Sequence, residues 1–127
     1  MAVDSNTRCV LDTNIVLYLL GDRLAEPLPA GAYAVSVITE MELLSYPSLT
    51  AKSKKQIRTL LTQLQIVELN AEVKEAAIRL RQQHGLKLPD AIIAATTLTL
   101  EAVLLTNDMR LLKLSNLQTR SLKLKTL

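Results

Sequence analysis

Four acids stand where short apolar runs give way to polar residues. Asp12 directly follows the run RCVL at residues 8–11, and Glu42 lies three residues after Thr39 in TEMELL. Asp90 opens the apolar stretch LPDAIIAATTL at 88–98, and Asp108 comes two residues after VLLT. Carboxylates gathered in one place suit a hard divalent cation. Mg²⁺ prefers oxygen ligands, keeps several of its waters, and takes one or two carboxylates plus substrate phosphates. Such an ion activates water and stabilises the charge of an in-line phosphodiester displacement. Rival chemistries are poorly supplied. A lone His84 and a lone Cys9 make no zinc cluster, and there is neither a Ser-His-Asp set nor a Gly-rich phosphate loop.

Each acid taken singly also has an ordinary structural role. Asp12 can be an N-cap, Glu42 the partner of Thr39 in a capping box, and Asp90 and Asp108 complements to a helix dipole. The joint argument depends on the elements around them. Residues 8–11 read as a first strand, 14–20 as a short helix that Asp12 or Thr13 could cap, and 33–38 (YAVSVI) as a second strand. Thr39 reads as the cap of the next helix. From Ala51 the apolar positions Ile57, Leu60, Leu61 and Leu64 recur at helical spacing. Residues 66–69 read as a third strand, and Asn70 caps a helix that ends at His84-Gly85. Pro89 suits the first position of a largely buried helix over 88–101. Residues 103–106 read as a fourth strand, followed by a short helix through Leu112 and a last strand within 117–122.

Strands alternating with helices predict a parallel sheet covered on both faces. In such a sheet the carboxyl ends of the strands share one edge, where ligands bind. The four acids then crowd that edge, raise one another's pKa and oppose folding unless a cation joins them.

The bulk composition narrows the partners. A length of 127 residues fits one domain. Aromatics are 2%, with three Tyr and neither Phe nor Trp, so no aromatic ladder offers itself to single-stranded bases. Cys9, inside an apolar run, reads as a buried hydrophobe, and His84 as a dipole complement in the last helical turn before Gly85. The polar stretch before the first strand is too short for a signal peptide, and no apolar run is long enough to span a membrane, so a cytoplasmic location is expected. The net charge of +3 suits a polyanion. Eight of its fifteen basic residues fall in two groups, Lys52, Lys54, Lys55 and Arg58, then Lys113, Arg120, Lys123 and Lys125, which read either as solvated faces or as phosphate contacts.

The runs LDTN (11–14), SVITEMELLS (36–45), LPDAIIAATTL (88–98) and LLTNDMRLL (104–112) resemble the four signature segments of PIN domains, above all those of the VapC-type toxins of bacterial type II toxin–antitoxin pairs. The resemblance spans the chain in order, so residues 1–127 are read as a single PIN domain. It implies a three-layer α/β/α fold around a mostly parallel sheet of four to five strands. It further implies that Asp12 and Asp90 coordinate metal, that Glu42 and Asp108 complete the site, and that Asn14 and Thr106 orient it. Many relatives carry a further acid two residues after the position of Asp108, where this chain has Arg110. The implied activity is Mg²⁺-dependent endonucleolytic cleavage of RNA, with Mn²⁺ as a substitute. The implied partners are a small antitoxin and a homodimer mate. Candidate RNA contacts are Lys52, Lys54, Lys55, Arg58, Arg110 and Lys113. Two other readings stand beside this one. One is a catalytically silent PIN-fold module that binds RNA or protein. The other is a haloacid dehalogenase-like phosphatase, although that chemistry wants a second Asp where this chain has Asn14.

Overall fold

A computed structural model describes residues 7–126, so the first six residues of the polar N-terminal stretch lie outside the described part. The elements follow the expected order: β1 (Arg8–Leu11), α1 (Thr13–Leu20), β2 (Ala32–Ser36), α2 (Val37–Leu44), α3 (Ala51–Leu61), β3 (Gln65–Val67), α4 (Ala71–His84), α5 (Leu88–Thr99), β4 (Val103–Leu105), α6 (Met109–Leu112) and β5 (Thr119–Arg120). The five strands form one sheet in the order β3-β2-β1-β4-β5, and every pairing is parallel.

Alternation along the strands divides the core in two, because successive side chains in a strand point to opposite faces. Val10, Ala34 and Leu104 face the layer of α4, α5 and α6, where Val73, Ala77, Leu80, Ile93 and Leu111 are buried. Cys9, Leu11, Val35, Val103 and Leu105 face the layer of α1, α2 and α3, where Ile15, Val16, Leu43, Ile57 and Leu61 are buried. The architecture is therefore a three-layer α/β/α sandwich. Helix α5 is apolar on most sides, and Ala91, Ala94 and Ala95 let it lie close against β1, β2 and α4.

Strand order makes the edge chemically special. The chain steps from β1 outward to β2 and β3, then crosses back to place β4 on the other side of β1. The switch point thus lies between β1 and β4, and such reversals open the crevice in which α/β sheets bind ligands.

Several boundaries differ from the sequence reading. The β-branched run Val37–Ile38 belongs to α2 rather than to the second strand, because the Ser36 hydroxyl accepts from the Ile38 amide and caps the helix there. Thr39 is consequently not a cap; it is fully buried within the helix. Pro89 occupies the second helical position, since Lys87 is the N-cap of α5. The last strand shrinks to Thr119–Arg120, because the Asn107 side-chain amide takes up both the N–H and the C=O of Leu122 at 2.8 and 3.0 Å. Of the two caps read for the first helix Asp12 is the one used, Asn70 caps α4 as read, and Gly85 closes α4 in the left-handed region at φ 64°.

Candidate active site

The site grows from the end of β1. Asp12 leaves the strand in extended conformation and caps α1, with its Oδ1 accepting from the Thr13 amide at 2.8 Å. Its other oxygen, Oδ2, accepts the Thr106 hydroxyl at 2.7 Å, and its own amide donates to the Leu105 carbonyl at 3.0 Å. Both carboxylate oxygens and the backbone of Asp12 are thereby tied to the switch point between β1 and β4. Thr106 also accepts from the Asp108 amide at 3.0 Å, which fixes the turn after β4. Asp108 in turn caps α6, its Oδ1 accepting from the Arg110 amide at 2.9 Å.

Glu42 reaches the same edge from α2. Its Oε1 accepts the Thr13 hydroxyl at 2.8 Å, and Thr13 lies 2.9 Å from the Thr39 hydroxyl. Asp90 sits in the first turn of α5, where exposed helix amides favour negative charge. Its carboxylate lies 3.7 Å from the Arg110 guanidinium, and the same Nη2 stands 3.5 Å from Asp108.

Electrostatics show that these acids feel one another. Burial pushes the Asp12 carboxyl above its ordinary value; the Thr106 and Thr13 hydrogen bonds oppose this, and the charges of Asp90 and Asp108 add to it. Asp90 is raised by burial first and then by Asp108 and Glu42, with Arg110 and Lys87 pulling the other way. Like charges held at one edge of a dry core favour protonation. A divalent cation would favour the ionised forms instead.

The donor set fits such an ion in kind. It consists of carboxylate and hydroxyl oxygens, the ligands of Mg²⁺, with no imidazole or thiolate among them. Among the described residues no three acids are already close enough to grip one ion together.

The other residues named from the sequence fall in varied places. Asn14 is exposed on α1 and makes no side-chain hydrogen bond among the described residues. Lys52, Lys54, Lys55 and Arg58 are all exposed on α3, and Lys113 is exposed just after α6. Lys125 is drawn off by an ion pair with Asp22 at 2.9 Å. Arg110 is exposed yet aimed at the acids. Cys9 is buried, and burial pushes its thiol up, as befits an unreactive core residue.

Two residues of the cluster, Thr13 and Thr39, read from the sequence as helix caps and not as part of the site. The signal for Thr39 was present in its spacing, because residues three apart on a helix share a face, and this one carries Glu42. The same spacing also spells a capping box, which hid it.

Three comparisons bear on this arrangement. A family model described as PIN domain matches residues 9–117. No curated protein matches the chain significantly. Among solved structures, a toxin–antitoxin complex from Klebsiella pneumoniae is 29% identical and covers 86% of this chain and 94% of its own, with a TM-score of 0.72. VapBC2 from Rickettsia felis, bound to a DNA fragment from its promoter, is 21% identical, with coverages of 91% and 98% and a TM-score of 0.76. VapBC-1 from nontypeable Haemophilus influenzae is 24% identical, with the same coverages and a TM-score of 0.71. The last two likenesses speak to fold alone.

Proposed function

Since the chain belongs to the PIN-domain family, we propose that it is a Mg²⁺-dependent endoribonuclease and the toxin of a toxin–antitoxin pair. The observation that carries the nuclease reading is the convergence of Asp12, Glu42, Asp90 and Asp108 at the β1–β4 switch point, where burial first and neighbouring acids second raise the carboxyls of Asp12 and Asp90. The toxin reading is supported by the 29% identical toxin–antitoxin complex from Klebsiella pneumoniae. It brings with it a small antitoxin as partner, a homodimer as assembly and the cytoplasm as its place. No described helix is long and apolar enough to cross a membrane.

In this reading Asp12 and Asp90 hold the ion, with Mn²⁺ able to replace Mg²⁺. When bound, it would neutralise phosphate charge and make a coordinated water more acidic. The protein's own groups do the rest. Thr106 and the Thr13 amide orient Asp12, so its outward lone pairs are fixed before substrate arrives. Among the described residues Glu42 is engaged through Oε1 alone, which leaves Oε2 to accept a proton from the attacking water. Asp108 is clamped by its cap and by Thr106, and it completes the negative wall of the crevice. The exposed cations of α3, with Arg110 and Lys113, supply contacts to RNA phosphates.

A silent PIN-fold binding module is the second reading. The observation in its favour is Arg110, whose guanidinium already offsets Asp90 and Asp108 without any metal. Incubation of total RNA with the protein in Mg²⁺ and in EDTA decides between them. Fragments that appear only with the metal support the nuclease. RNA that is bound but intact under both conditions supports the module. A chromogenic phosphate ester run alongside covers the phosphatase chemistry.

A further inference from the structure

We propose that Thr39 is a positioning residue of the active site, acting on Glu42 through the hydroxyl of Thr13. The inference rests on the nuclease reading for its kinetic consequence but on hydrogen-bond geometry for its substance. Thr13 Oγ1 lies 2.8 Å from Glu42 Oε1, an acceptor, so the single hydroxyl hydrogen of Thr13 is committed to that bond. The 2.9 Å contact between Thr13 and Thr39 then has only one polarity left: Thr39 donates and Thr13 accepts. The result is a directed chain, Thr39 to Thr13 to Glu42, that spans α2 and the first turn of α1.

Burial makes the chain decisive. Thr39 is 0% exposed and Thr13 is 7% exposed, so water cannot replace either partner. A donor chain that polarises each next member holds its terminal acceptor more firmly than one isolated bond. Thr39 and Glu42 are also one helical turn apart on α2, so the helix presents both to Thr13 together. Glu42 has three rotatable bonds and sits only partly buried; this chain fixes Oε1 and thereby aims Oε2 at the crevice.

The test compares Thr39→Val, which keeps the shape and removes the donor, with Thr39→Ser, which keeps the donor. RNA cleavage in Mg²⁺ is measured for both, and melting temperature confirms folding. The expected result is a loss in kcat of about tenfold or more for Thr39→Val, with KM little changed, and recovery of most of that loss in Thr39→Ser. In a Glu42→Ala background, Thr39→Val should cost nothing further, because its effect runs through Glu42. Full activity in Thr39→Val, or an equal loss in the Glu42→Ala background, would overturn the proposal. If the wild-type protein cuts no RNA, the nuclease reading fails, and the positioning inference is then read from the ¹³C shift of the Glu42 side-chain carboxyl. Thr39→Val should move that signal and Thr39→Ser should leave it in place; a signal unmoved by Thr39→Val overturns the inference.

Discussion

The hydroxyl of Thr106 reaches across 94 positions of sequence to donate to Asp12 at 2.7 Å, and it joins the ends of β1 and β4 at the point where the sheet reverses direction. The same oxygen accepts from the Asp108 amide, so one small side chain orients two of the four acids.

Thr106→Val should therefore reduce both cleavage and metal affinity by roughly 10–100-fold, the usual effect of removing a group that orients a ligand. It also strands the buried Asp12 oxygen and the Asp108 amide, which should cost about 1–3 kcal/mol in stability. Thr106→Ser should recover most of both. Urea unfolding and RNA cleavage rates measure the two effects separately. A Thr106→Val enzyme with wild-type rates would mean that Asp12 needs no such support.

Asp90 carries a signed dependence on pH. Its folded-state pKa is raised above 3.8, so the folded chain holds that proton more tightly than the unfolded chain does. The stability it contributes is complete below the unfolded value and is lost as pH rises through the folded one. In EDTA, Asp90→Asn should thus melt higher than wild type at neutral pH, and the gap should widen as pH climbs from about 4 towards 7. A gap that is constant or narrows with pH would show that the charge of Asp90 is not destabilised by burial and its acidic neighbours.

Much of this was legible in the sequence, and the remainder was hidden for physical reasons. All eleven elements could be read in order from apolar periodicity, and the caps Asp12 and Asn70 from their residue types. The strand order could not, because periodicity is local and the return of β4 to the side of β1 is not. The second strand was overextended because Val37 and Ile38 are β-branched, whereas tertiary placement makes them the first turn of a helix. Thr39 was misread for a related reason: a Thr three residues before a Glu spells a capping box unless one knows that Ser36 has already capped the helix. Which oxygens of the site touch each other is a property of packing alone.

Arg110 sets up a competition. Its guanidinium offers a positive charge to both Asp90 and Asp108, so an incoming cation must displace it. The arginine is 57% exposed, which keeps the pairs weak and the displacement easy. Arg110→Ala should tighten Mn²⁺ binding severalfold in calorimetry, while raising the KM for RNA if the freed guanidinium otherwise meets a phosphate. Weaker or unchanged Mn²⁺ binding would remove the competition from the account.

Gly85 offers a control remote from the chemistry. It ends α4 at φ 64° with open space where a side chain would project, so only the backbone conformation resists substitution. Gly85→Ala should cost about 1 kcal/mol in urea unfolding and leave RNA cleavage at wild-type rates. A fall in cleavage at constant foldedness would tie the α4–α5 connection to the site.

The most direct measurement is the rate of RNA cleavage in Mg²⁺ by folded Asp12→Asn beside wild type. Asparagine keeps the size of Asp12 and an oxygen for the Thr13 amide but removes the charge that a divalent cation requires. The account predicts a wild-type protein that cuts RNA in Mg²⁺ and not in EDTA, and an Asp12→Asn protein that melts normally yet cuts slower by orders of magnitude. Cleavage by folded Asp12→Asn at the wild-type rate, or wild-type cleavage that persists in EDTA, would contradict it.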